Sequence, residues 1–263
     1  MHSKTPLLTN KKMKSKSFAI AFMAAGLMMS ACGNNQKNSD NSAESDSTKV
    51  ATAAQATEDD EGVVRGIATI RKEWAGKTIK VNAGEKAPGI EQFALSFCKA
   101  YPQCETNKAL GTYLESPNEY KGKDNFMVDD MSYSVYSNPG NGYVRSMMLV
   151  ETNRYTYACF WKRKNAHLLF AAFMEECWET PDWDECLVVF YDYDPTTGVM
   201  TPEPNLTSMI EKRMKGYNSY SVILPEKGKE ITVSGYTINE EEDSATSDDL
   251  NLVWNGMSFD WAK

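Results

Sequence analysis

Two hydrophobic periods divide the later part of this chain. Up to residue 114 apolar side chains recur every three or four positions, and from Ser132 onward they recur every two. Val64, Ile67, Ile70 and Trp74 predict a short helix. Ile90, Phe93, Phe97 and Tyr101 make one stripe over residues 88–101, with Pro88 suited to the first helical position and Pro102 as the stop. Leu110, Tyr113 and Leu114 predict another helix over 106–114, and residues 78–81 a short strand. The alternating part gives strands at 133–136, 143–150, 155–162, 167–177 and 186–193, the first two joined by the turn Asn138-Pro139-Gly140-Asn141-Gly142. Leu206, Met209, Ile210 and Met214 predict a helix over 206–215, closed by Gly216. Two hairpins finish the chain, 220–224 with 231–238 and 250–254 with 257–261, the second around Asn255-Gly256. Strands this closely connected pair with their sequence neighbours. The expectation is an α+β fold: N-terminal helices packed on one face of a large antiparallel sheet, built as a meander of hairpins that includes the Asn255-Gly256 hairpin.

The front of the chain follows neither period. Residues 18–29 are an apolar run of twelve, preceded by Lys14 and Lys16 and followed by Ser30-Ala31-Cys32. The run is too short to cross a hydrocarbon core of roughly 30 Å as a helix. A basic start, a short apolar core and small residues before a cysteine resemble a bacterial lipoprotein signal, with Cys32 as the acylated residue. Met13 begins such a signal better than Met1. Residues 1–31 are therefore read as the signal, 32–62 as a disordered tether with no aromatic residue, and 63–263 as one α+β domain.

Removing residues 1–31 takes away five lysines and no acid, so 23 basic residues face 36 acidic ones, a net charge of −13. Nucleic acid is excluded as a partner, because its binding rests on neutralising phosphates. The expected membrane contact is through the lipid anchor only. One histidine remains, His167, which leaves no multi-histidine metal site. No metal and no cofactor is expected. Cys177 and Cys186 flank a short segment between apolar runs and are the favoured disulfide, with Cys98 and Cys104 a weaker pair. No Cys-x-x-Cys occurs.

Candidate chemistry is sparse. Residues 178–185 hold Trp178, Trp183 and four carboxylates. Indole faces stack on sugars and carboxylates accept from hydroxyls, so Trp178, Glu179, Asp182 and Trp183 are the ligand-binding candidates. Asp192-x-Asp194-x-Thr196 after an apolar strand resembles the first motif of haloacid-dehalogenase-type phosphatases, which would make Asp192 the nucleophile and Asp194 the acid/base. The same residues with Glu203 at the twelfth position echo an EF-hand spacing, though Thr197 stands where Gly is required. The motif lies deep in a meander rather than near the start of an alternating strand–helix fold, so a hairpin turn built from Asp, Pro, Thr and Gly is the favoured reading. Arg163, Lys164 and His167 mark another hairpin tip, and residues 240–249, with six acids, read as a solvated loop.

Two helices ahead of a meander resemble nuclear-transport-factor-like and cystatin-like folds in order and length over residues 88–193. The runs YDYDPTTGVMTPEPN (191–205), FWKRKNAHLLFAA (160–172) and LVWNGMSF (252–259) resemble uncharacterised lipoproteins of gut Bacteroidetes. That resemblance implies a cell-envelope location and no established activity. An outer-membrane anchor on the periplasmic face is expected, since residues 33–37 lack the charged signal of surface-exported relatives. With no complete catalytic set, the sequence favours a non-enzymatic binding or interaction module for a glycan or an envelope protein. The alternatives are a metal-dependent phosphatase using Asp192/Asp194 and a purely structural envelope protein.

Overall fold

The structure is a computed structural model that describes residues 66–263, apart from 83, 85, 121, 150–153, 177–184 and 240–243. The helical stripes become α1 (Gly66–Glu73), α2 (Ile90–Ala100) and α3 (Glu105–Glu115), followed by a single turn, α4 (Pro117–Tyr120). Helix α2 starts two residues after Pro88. Gln92 turns its side chain back to accept from the Gly89 N–H at 2.9 Å, satisfying a donor the helix itself cannot.

The alternating segments form eight strands: β1 (Ile79–Lys80), β2 (Phe126–Val128), β3 (Met131–Asn138), β4 (Tyr143–Met148), β5 (Arg154–Lys162), β6 (Leu168–Glu176), β7 (Glu185–Asp194) and β8 (Val199–Pro202). Their order is β1-β8-β7-β6-β5-β4-β3-β2, so β2 to β8 run as a meander and β1 closes one edge against β8. Every pairing is antiparallel.

Period-two alternation divides this sheet into two buried faces. On the first, Phe170, Ala172, Met174, Val189 and Tyr191 pack against Ile67, Ile70, Phe93 and Phe97 of α1 and α2. On the second, Leu169, Ala171, Phe173, Val188 and Phe190 pack against Leu206, Ile210, Val222, Ile231 and Phe259. Strands β6 and β7 are covered on both sides, which is why they read as continuous apolar runs rather than as half-polar ones. A polar chain crosses the first core. Thr106 Oγ1 lies 2.7 Å from Thr156 Oγ1, and Thr156 donates to Asn107 Oδ1 at 2.8 Å. Asn107 then donates to the Tyr101 carbonyl. Each member of that chain thus has a partner, which pins α3 to β5.

Three expectations change. The helical cover is not only N-terminal: the helix expected over 206–215 forms as α5 (Pro204–Met214) after β8 and lays Leu206, Ile210 and Met214 on the second face. Thr207 Oγ1 donates to the Val188 carbonyl at 2.8 Å and fixes its position. The Asn255-Gly256 hairpin belongs to a second sheet, not the first. That sheet is β9 (Ser219–Ile223), β10 (Ile231–Asn239), β11 (Ser244–Trp254) and β12 (Phe259–Trp261), ordered β12-β11-β10-β9. Finally, the acidic stretch is strand as far as it is described: β11 begins at Ser244 and pairs with β10 as far as Leu252. Its first six residues are exposed and carry no apolar alternation; the backbone ladder holds them, with Tyr217 donating to Asp248 at 3.0 Å and Ser234 to Asp249 at 2.6 Å.

Candidate functional site

The reverse turn after β5 sets the site. Arg163 N–H donates to the His167 carbonyl at 2.9 Å, Ala166 N–H donates to the Arg163 carbonyl at 3.2 Å, and Ala166 takes a left-handed φ of 69°. Asn165 Oδ1 accepts from the His167 N–H. Alternation places Arg163 and His167 on the second face of the sheet, in line with Trp161 and Leu169. The register of β6 on β7 puts Leu169 opposite Asp192, so the Asp192 side chain arrives beside both. Glu203, just past β8, is held by its N–H donating to the Phe190 carbonyl at 2.8 Å.

These elements close an ionic cluster. Arg163, whose side chain is 7% exposed, donates one nitrogen to Asp192 and a two-pronged pair to Glu203 at 2.6 and 2.7 Å. The other Asp192 oxygen accepts from His167 Nδ1 at 2.7 Å, and His167 Nε2 lies 3.9 Å from Asp194. Burial works against the guanidinium charge, yet the Glu203 and Asp192 carboxylates outweigh it and hold Arg163 above its ordinary pKa. Arg163 Nε is buried without a partner among the described residues. Asp194 faces the turn: Thr196 N–H donates to it at 2.7 Å and Thr197 Oγ1 at 3.1 Å. The Thr196 N–H is the leading reason its carboxyl lies below the ordinary range.

In this arrangement Asp192 is an anchor. Both of its oxygens are taken, and it lies inside a strand antiparallel to both neighbours, opposite Leu169 and Thr201. Glu203 is turned to Arg163 and not to Asp194. Among the described residues no group of three or more His, Cys, Asp or Glu is placed to hold a metal ion. No helix there is long and apolar enough to cross a membrane.

The remaining sequence candidates fall elsewhere. Cys32, Cys177, Trp178, Glu179, Asp182 and Trp183 lie outside the described residues. Cys186 donates its thiol to the Tyr220 carbonyl at 3.1 Å, and the partner expected for it, Cys177, lies outside the described residues. Burial raises the Cys186 thiol to about 12. Cys98 is a free thiol, pushed up by burial.

Two concave surfaces escaped the sequence reading. One, of about 330 Å³, lies between the second face and β9, floored by Tyr143, Tyr155, Tyr157 and Phe173. The other, of about 430 Å³, lies between the β3–β4 turn, the end of β5 and Trp254. Trp254 is braced by Trp161, 6.1 Å away and nearly parallel, and by Phe259 at 5.0 Å. Aromatic residues two apart on one strand were the available signal, but not which strands would meet. No protein-family model, no curated protein and no solved structure matches this chain.

Proposed function

We propose that this chain is a lipid-anchored protein of the bacterial cell envelope whose folded part binds a partner rather than catalysing a reaction. The anchor rests on the sequence: the basic start, the short apolar core and Ser30-Ala31-Cys32 together support acylation of Cys32. Stable anchoring needs two acyl signals, which a lipoprotein cysteine carries. Residues 32–62 would then tether the domain to the periplasmic face of the outer membrane. The fold is best taken as an N-terminal helical layer on a hairpin meander, with α5 and the second sheet as the cover on the far side.

One observation carries the binding reading. The carboxylate with the strongest claim to catalysis, Asp192, is engaged by Arg163 on one oxygen and by His167 on the other. A nucleophilic aspartate needs a free oxygen aimed at substrate, and a metal ligand needs one aimed at the ion. What stays open on this molecule is aromatic-lined surface, which suits recognition. Trp178, Glu179, Asp182 and Trp183 are the proposed contacts for a glycan or an envelope protein.

Thermal-shift screening of the full chain in detergent tests this against glycans, divalent cations and phosphate analogues. A glycan shift that Trp178→Ala/Trp183→Ala reduces is the expected result. Magnesium-dependent phosphate-ester turnover that Asp192→Asn abolishes would establish an enzyme in its place. Mass spectrometry of the native protein tests the anchor: an unlipidated chain in the soluble periplasmic fraction refutes it.

A further inference from the structure

The cleft beside Trp254 combines an indole with basic side chains in an acidic protein. Its walls are the β3–β4 turn with Asn141, the ends of Phe160 and Lys162 on β5, and Gly228-Lys229 from the β9–β10 loop. A neighbouring hollow of about 310 Å³ shares Gly228, Lys229 and Trp254 and adds Lys227, with Glu230 its one carboxylate. Lys162 and Lys229 are exposed, and neither is paired with a carboxylate among the described residues. The chain has a net charge of −8, so a cleft lined by unpaired ammonium groups is a local reversal of sign. Such a reversal concentrates anions at one place on the surface.

The polar backbone of the cleft is also open. β4 begins at Tyr143, opposite Cys159, while β5 runs on to Lys162 paired only with β6. Residues 160–162 therefore leave one edge of their backbone unpaired by β4, facing the turn of residues 139–142. Trp254 is half-buried with its indole already fixed by Trp161 and Phe259, so it offers a flat face at little cost in side-chain freedom. A rigid indole face, hydrogen-bonding backbone and two ammonium groups match a pyranose ring that carries a negative group.

We propose, resting on the binding-module reading, that this cleft is a second recognition site whose ligand is an anionic oligosaccharide, a sugar chain bearing carboxylate groups. A ring stacks on Trp254, Lys162 and Lys229 take the carboxylates, and the open edge of β5 bonds ring hydroxyls. Occupancy of this kind depends on salt, because the ammonium groups are exposed.

Isothermal titration of the full chain in detergent with tetragalacturonate tests it, with cellotetraose and inorganic phosphate as the other titrants. The expected result is binding of tetragalacturonate at least about tenfold tighter than cellotetraose, weakened at least about tenfold by Lys162→Gln/Lys229→Gln and by raised salt. Trp254→Phe, which keeps an aromatic brace for Trp161, should weaken it several-fold. The lysines are exposed, so their replacement leaves the fold intact even if a Trp254 variant does not fold. Unchanged affinity in the lysine double variant, or inorganic phosphate competing as well as the sugar, overturns the site. No binding of tetragalacturonate overturns it too. None of these touches the binding-module reading, which falls only to the Asp192-dependent turnover described for it.

Discussion

Replacing Arg163 with Met is the sharpest test of the ionic cluster. The guanidinium makes three charge-assisted bonds, one to Asp192 and two to Glu203, while being itself 7% exposed. Its carboxylate partners are 22% and 29% exposed, so solvent screens them only in part. At 4 Å and an effective dielectric near 20, each ion pair is worth about 4 kcal/mol before desolvation is charged against it. The net value of the intact pair is smaller, but deletion is asymmetric: two half-buried carboxylates are left facing one another without a cation. Breaking a fully buried pair costs about 3–5 kcal/mol, and partial exposure here places the expectation at about 2–4 kcal/mol. Arg163→Lys keeps the charge and loses the fork, so about 1–2 kcal/mol is expected for that change. Urea unfolding followed by tryptophan fluorescence reads both. With a slope of about 2–3 kcal/mol per molar for a domain of this size, the Met variant should lower the midpoint by about 1 M. A loss below about 0.5 kcal/mol for Arg163→Met would refute the reasoning, as would a Lys variant as damaged as the Met one. In a cycle with Glu203→Gln, the two changes should be clearly non-additive.

Three further outcomes are expected. A Cβ at Gly235 would sit 2.5 Å from the Tyr217 ring, so Gly235→Ala should cost about 1–3 kcal/mol in chemical denaturation, and Tyr217→Ser should remove most of that penalty; strict additivity counts against it. Thr156→Val strips the buried Thr106–Thr156–Asn107 chain of its middle member and should cost about 1–3 kcal/mol, a figure below about 0.5 showing that the chain is not needed. Asp194 and Glu226 are both held below their ordinary values, Asp194 chiefly by the Thr196 N–H and Glu226 chiefly by the Tyr136 hydroxyl. The folded state then holds these protons less tightly than the unfolded one. Their stabilisation is complete above the ordinary carboxylate values and is lost as pH falls through the depressed ones. Melting temperature should drop between about pH 5 and about pH 2, and Asp194→Asn should flatten part of that limb; an unchanged limb argues against the turn as its source.

The local periods by themselves determined most of the elements. A stripe at Ile90, Phe93, Phe97 and Tyr101 has one low-energy solution, because only a helix puts all four on one side. Asn255-Gly256 fixed a hairpin for an equally local reason, since few residue pairs accept its backbone angles. The same reasoning failed at residues 244–249, where exposed polar side chains carry no signal and the strand exists because β10 offers a free edge. Nor did alternation reveal that the apolar pattern of β6 and β7 serves two cores, or that the last hairpins leave the first sheet to cover it. The cluster shows the division most plainly. Arg163 and His167 stood out at one hairpin tip, and Asp192, Asp194 and Glu203 in another turn, as two unrelated groups. What joined them was the pairing of Leu169 with Asp192, a long-range register set by how two cores pack. The Trp254 cleft depends still more on tertiary structure, because its walls come from four separate segments. Sequence spacing encodes what neighbouring residues do to one another. Which distant segments meet is decided by the burial of whole faces, and that is settled only when the sheets close.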